Sequence, residues 1–145
     1  MTQIEAAKIQ LEHALRLFVF EHDYVSSLTL AGAVEGILGG LRRKRHEERE
    51  KQGIQDDRPP NAFEERKALY AWLNGNDSES EKENMGRFIR KSRNAMHHPG
   101  GNLEGDLREE AEEWISMAIS DLVALTGEFS SDDLYVAFCN ATEAS

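Results

Sequence analysis

Met85-Gly86-Arg87-Phe88-Ile89-Arg90-Lys91-Ser92-Arg93-Asn94-Ala95-Met96-His97-His98-Pro99-Gly100-Gly101 holds both a helical pattern and its termination. Met85, Phe88, Ile89, Ser92 and Met96 recur three and four residues apart, which makes one apolar helix face rather than the alternation of a strand. Pro99 biases His98 away from helical backbone, and the two glycines complete the stop. Arg93, Asn94, His97 and His98 are therefore gathered at a helix C-terminus, where the helix dipole favours positive charge. On a straight helix Arg93 and His98 would point roughly 140° apart, while Asn94 and His98 would share a face. A bend before Pro99 would bring His98 round toward Arg93. Arg93, four residues after Ile89, borders the apolar face.

The same periodicity runs outward in both directions. Thr2 and Glu5 form a capping box ahead of the stripe Ala7, Leu11, Ala14, Leu15 and Phe18. Asp23-Tyr24-Val25-Ser26-Ser27 reads as a break in which a serine caps the next helix. That second helix has Leu30, Ala31, Val34, Ile37, Leu38 and Leu41 on its face, with Gly39-Gly40 either weakening it or permitting close packing. Beyond the glycines, residues 42–51 are fully polar and read as a solvated helix extension in preference to an RNA contact. Gln52 to Pro60 reads as a loop. Asn61 and Glu64 cap a short third helix through Leu69, Tyr70, Trp72 and Leu73, which Asn74-Gly75-Asn76-Asp77 stops. Ser78 and Glu81 cap the fourth. Asp106 and Glu109 cap a fifth, expected to be the longest, with Ala111, Trp114, Ile115, Ala118, Leu122 and Leu125 on its face. Asp132 to Ala141 adds a short final helix. There is no internal repeat. The expectation is an all-α fold, an up-and-down bundle of four main helices with short additional helices, forming a single domain over residues 1–145 in which 42–60 is a polar helix extension and loop.

The 145 residues carry a net charge of −10, which argues against broad affinity for nucleic acid. Two short windows, 42–45 and 87–93, nevertheless hold 8 of the 17 Lys and Arg and no acid, leaving −18 on the rest of the chain. Such a distribution suits a localised anion site, with Arg87, Arg90 and Lys91 as substrate-binding groups. Cys139 is the one cysteine, which excludes an internal disulfide and a multi-cysteine zinc site; it reads as a small buried apolar residue. No uninterrupted apolar run approaches the roughly 20 residues of a membrane span, and the N-terminus lacks a basic-then-apolar signal pattern. A cytoplasmic protein with no membrane partner is the expectation.

No phosphate-binding glycine loop, nucleophile elbow or zinc-helix motif occurs. The five histidines, His13, His22, His46, His97 and His98, form no recognised metal spacing, so neither a metal nor a cofactor is expected. Glu35 stands inside the apolar run of the second helix. It reads either as a carboxylate at the stripe's edge reaching water or as the counter-charge that holds Arg93. The residues around Arg93 supply what metal-free RNA cleavage needs. Histidine takes a proton near neutral pH, arginine neutralises charge on phosphate through a planar fork, and a polar neighbour such as Asn94 orients them. Without that chemistry, the stretch is a helix C-cap with favourably placed cations.

Arg93-Asn94-Ala95-Met96-His97-His98 also resembles the Arg-x4-His motif of the HEPN superfamily (higher eukaryotes and prokaryotes nucleotide-binding), whose members are small helical bundles. Residues 28–38, Leu28-Thr29-Leu30-Ala31-Gly32-Ala33-Val34-Glu35-Gly36-Ile37-Leu38, look like a core helix of uncharacterised bacterial members. The resemblance covers roughly residues 3–128, without 42–60. It implies a metal-independent endoribonuclease that leaves a 2′,3′-cyclic phosphate, with Arg93, Asn94 and His98 as catalytic residues and His97 as a second-choice base. It implies a homodimer whose motifs share one cleft, and an antitoxin or defence-system partner protein. Some members are non-catalytic nucleotide- or protein-binding modules, which is the alternative reading.

Overall fold

The computed structural model describes residues 1–75, 78–94, 104–128 and 132–143, and for residues 88, 90–94, 104–106 and 132 it describes the backbone alone. The described residues form helices and connections without a strand: α1 (Gln3–Val19), α2 (Tyr24–Lys51), α3 (Ala62–Leu73), α4 (Glu79–Asn94), α5 (Glu104–Thr126) and α6 (Asp132–Glu143). The all-α expectation holds at that level. α2 lies most extensively against α5 and then against α1, while α3 and α4 pack on each other and join the rest through α3 and α5. α6 lies on α1.

The stripes explain this arrangement. Ala7, Leu11, Ala14, Leu15 and Phe18 of α1 are all buried, as are Leu28, Ala31, Val34 and Leu38 of α2 and Trp114, Ile115, Ala118 and Leu122 of α5. Full burial of each large side chain contributes about 2 kcal/mol. The capping box of Thr2 and Glu5 is present in both directions, and Asn61 and Ser78 accept the Glu64 and Glu81 backbone N–H groups as their spacing implies. α6 edges onto the core through Phe138, whose ring meets Phe18 edge-on at 5.3 Å.

Several local expectations are corrected. α2 is capped by Asp23, which accepts from Ser26 N–H, rather than by a serine. Ser27 instead lies inside the helix, fully buried, donating to the Ala14 carbonyl and so tying α2 to α1. α2, with 28 residues, is longer than the 23 described residues of α5, because the polar stretch continues the helix to Lys51 without a break at the glycines. α5 is already helical at Glu104, so Asp106 lies inside the helix rather than at its cap. Ile37, Leu69, Trp72 and Leu73 are exposed, because Ala31, Val34 and Leu38 on α2 and Phe63 and Ala71 on α3 face the core instead. Cys139 is half-buried, one position past the inward-facing Phe138.

By length and composition α2 could cross a membrane, with an 18-residue window of mean hydropathy 1.3, which the absence of an uninterrupted apolar run had not suggested. Small residues account for this, since Gly, Ala and Ser dilute the run without making it polar. In the fold 44% of that window is buried.

Candidate functional site

The described polar centre lies where α2, α3 and α5 meet. Its organising residue is Asp121, fully buried on α5. Asp121 Oδ1 accepts from the Ala62 N–H at 2.9 Å and from Arg42 Nη1 at 2.9 Å. The carboxylate thus serves as a second cap at the start of α3, where negative charge is favoured, while Arg42 brings its counter-charge from α2. Arg42 Nη2 also reaches Glu65 Oε1 at 3.2 Å. Burial pushes the Asp121 carboxyl up from its ordinary range, against the opposing pull of the Ala62 N–H and the Arg42 guanidinium. Asn61 completes the junction. Its amide donates to the Gly39 carbonyl at 3.2 Å, while its oxygen caps Glu64.

Neighbouring pairs hold α3 in place. Glu64 receives Arg43 and Lys67, each at 2.8 Å. Burial raises the Glu64 carboxyl, but Lys67 and Arg43 more than offset this and hold it below its ordinary value. On the other side of α3 the Tyr70 hydroxyl donates to Glu113 at 2.5 Å, and burial together with that carboxylate pushes the phenol up to about 12.

Glu35 and Asp121 converge on Gly39. A Cβ at this glycine would lie 2.6 Å from Glu35 Oε1 and 3.2 Å from Asp121 Oδ2. The pair Gly39-Gly40 is therefore asymmetric: Gly39 permits close packing, and Gly40 faces open space. Gly39→Ala sets the gain in helix propensity, up to about 1 kcal/mol, against overpacking of about 1–3 kcal/mol. The expected outcome is a net loss of about 1 kcal/mol in urea denaturation. In a Glu35→Ala background the loss should shrink, because the nearest clashing atom is gone; equal losses in the two backgrounds would show that Glu35 does not set the constraint.

Glu35, Gly39 and Gly40 also line a cavity of about 280 Å³. Glu35, Gly36, Gly39 and Gly40 supply one wall from α2, Arg43 and Asn61 the polar rim, and Phe63 with Trp114 the aromatic side. The two rings stack at 5.9 Å with 27° between planes, and Lys67 Nζ lies 5.5 Å from the Phe63 centroid. The cavity joins a 7% exposed carboxylate, a guanidinium and an indole in one concavity. That combination orients a polar ligand with an apolar face.

Of the residues singled out from sequence, Glu35 lines this cavity and is 7% exposed. Arg90, Lys91, Arg93 and Asn94 lie on α4, of which Asn94 is the last described residue; their side chains lie outside the described structure. His97 and His98, with Pro99 to Gly101, lie outside the described residues. The contact between Glu35 and Arg93 is therefore not described. Arg87 is exposed on α4 and faces Glu83 at 3.8 Å. α4 is anchored by Ile89, 2% exposed, and approaches α3 closely at Gly86, where a Cβ would lie 2.6 Å from Lys67 Cδ. Among the described residues no group of three or more His, Cys, Asp or Glu is placed to hold a metal ion.

Sequence reasoning missed Asp121 and the role of Arg42. A signal existed: Asp121 falls on the stripe of Trp114, Met117, Ala118 and Leu122, so an acid there is either buried or breaks the pattern. The reading of 42–51 as a solvated extension is corrected at its first turn, since Arg42 has only 17% of its side chain exposed and is bound by two carboxylates.

The chain matches no protein-family model, no curated protein and no solved structure.

Proposed function

We propose that this chain is a metal-independent endoribonuclease of HEPN type, an up-and-down arrangement whose four main helices are α1, α2, α4 and α5. The observation that carries the reading is that Arg93 and Asn94 lie on α4, a helix fixed to the core by Ile89, with His98 and Pro99-Gly100-Gly101 following closely in sequence. The stop that the proline and the two glycines imply would gather these cations at a helix C-terminus, where the dipole favours them. His98 takes the proton from a ribose 2′-hydroxyl. The 2′-oxygen attacks the adjacent phosphorus, and the bond to the 5′-oxygen breaks as that oxygen accepts a proton. The products are a 2′,3′-cyclic phosphate and a 5′-hydroxyl. Arg93 neutralises the charge that gathers on the phosphoryl oxygens, and Asn94 orients the pair. Arg87, Arg90 and Lys91 contact flanking phosphates, His97 is the substitute base, and Glu35 offsets the Arg93 charge. The reading includes a cytoplasmic location, no metal, no cofactor and a neutralising protein partner.

A test is incubation of the pure protein with mixed RNA in a metal chelator. Cleavage that persists in His98→Ala protein, or that requires added metal, rejects the assignment. Nucleotide binding without cleavage would favour a non-catalytic module, a reading supported by the cavity of Glu35, Arg43 and Trp114.

The active form is a homodimer about a two-fold axis that places two Arg93 and two His98 around one groove. This doubles the local positive field on a chain whose net charge of −10 otherwise repels RNA. Sedimentation at micromolar concentration is expected to show a dimer that Met96→Glu dissociates. A single 16.4 kDa species rejects the shared cleft.

A further inference from the structure

A second concavity, of about 300 Å³, lies between the C-terminal half of α2 and the segment that leads into α3. Among the described residues, four arginines and one histidine line it against a single acid, Asp56. Their partners differ in kind. Arg42 is held by Asp121 and Glu65, and His46 meets Glu50 at 3.0 Å. Arg58 forks onto Asp56 with Nε at 3.0 Å and Nη2 at 3.1 Å, and this pair holds the Asp56 carboxyl down at about 2. Among the described residues Arg45 donates to neutral acceptors, the Ala124 and Leu125 carbonyls at the end of α5, both at 3.3 Å. Arg49, one helical turn on, makes no ion pair or hydrogen bond through its side chain among the described residues.

We propose that this pocket binds the phosphate group of a small phosphorylated molecule, such as a nucleoside monophosphate. Arg45 and Arg49 repel each other at helical spacing, and an anion between them removes that penalty. The planar guanidinium fork matches phosphate oxygens. Arg45 is already aimed by its two carbonyl contacts, and Arg58 by Asp56, so little rotamer entropy remains to be lost on binding. Pro59, Pro60 and Ala124 supply apolar wall for the body of the ligand. A volume of about 300 Å³ lies at the lower end of ligand sites, which fits a mononucleotide and excludes a duplex. The pocket uses none of the residues assigned to RNA cleavage, and binding is measurable whether or not the chain cuts RNA.

The experiment is titration calorimetry of the full chain at low salt with inorganic phosphate, adenosine 5′-monophosphate, adenosine, and a short 5′-phosphorylated RNA. Phosphate and the monophosphate are expected to bind one to one, and adenosine not to bind. Arg49→Glu should weaken both at least about tenfold, a change that breaks no described contact of Arg49. Arg45→Gln should weaken them as well, whereas Arg16→Glu, on α1 and outside the pocket, should not. Circular dichroism establishes that each variant is folded. Binding confined to the RNA overturns the small-ligand assignment. Absence of phosphate binding at millimolar concentration overturns the site, as does affinity unchanged by Arg49→Glu.

Discussion

Asp121→Ala is expected to destabilise the fold by about 3 kcal/mol, because it leaves a buried backbone donor and a largely buried guanidinium without their shared acceptor. The Ala62 N–H would have no partner at the start of α3, and Arg42 would keep only Glu65. For a chain of this size the melting temperature should fall by roughly 10 °C. Asp121→Asn separates the two losses. Its amide oxygen still accepts from Ala62, and it removes a charge whose burial is itself unfavourable, so the expected loss is about 1 kcal/mol. Equal losses for the two variants would show that the cap on α3 is not the dominant contact.

The Asp121 carboxyl also predicts a dependence on pH. Burial raises its folded-state value above the unfolded one, so the folded chain binds this proton more readily. The contribution of this group to stability therefore increases as pH falls from neutral through the folded value, and levels off below about 4, the unfolded value. Asp121→Asn abolishes that contribution. The stability of the natural chain relative to Asp121→Asn should then rise between pH 7 and pH 4, measured by urea denaturation. A relative fall over that range would contradict the raised value.

His98→Ala is expected to lower RNA cleavage by about 10²–10⁴-fold, the range for loss of a general acid–base group. Arg93→Ala should cost about 10²–10³-fold, as does removal of one donor to a developing oxyanion. Arg93→Lys should not restore the rate, since a point charge does not reproduce the bidentate fork. If the two residues act on one transition state, the double variant should be about as slow as the slower single variant. Multiplicative losses would mean independent steps. Cleavage should be unchanged by chelator throughout, and all variants should keep the thermal stability of the parent to within a few degrees. A variant that loses activity together with its fold would say nothing of catalysis, so circular dichroism accompanies each rate.

The helices were legible because they follow from local chemistry. The α1 stripe, the Thr2–Glu5 box, the Asn61 and Ser78 caps and the stop at Gly75, which takes φ +79, each depend on residues within one or two turns. Short-range spacing also places Arg93 and Asn94 on a helix. It could not say which apolar positions would be covered. Leu69, Trp72 and Leu73 fit a helical stripe as well as Phe63 and Ala71 do, and only the docking of α3 on α5 turns one set inward.

Sequence by itself determined the helix type, the order of the elements, the surplus of acid and the two basic windows of this chain. The tertiary structure decided what those charges do. Arg42 and Asp121 stand 79 residues apart, and Arg45 meets carbonyls 79 and 80 residues away, distances over which no local pattern carries information. Gly39 reads as a weak point of a helix until α5 places the Asp121 carboxylate beside it and Glu35 fills the remaining space. A buried charge is tolerated only where its partner arrives from elsewhere in the chain, and that arrival is set by how the stripes of α2, α3 and α5 pack.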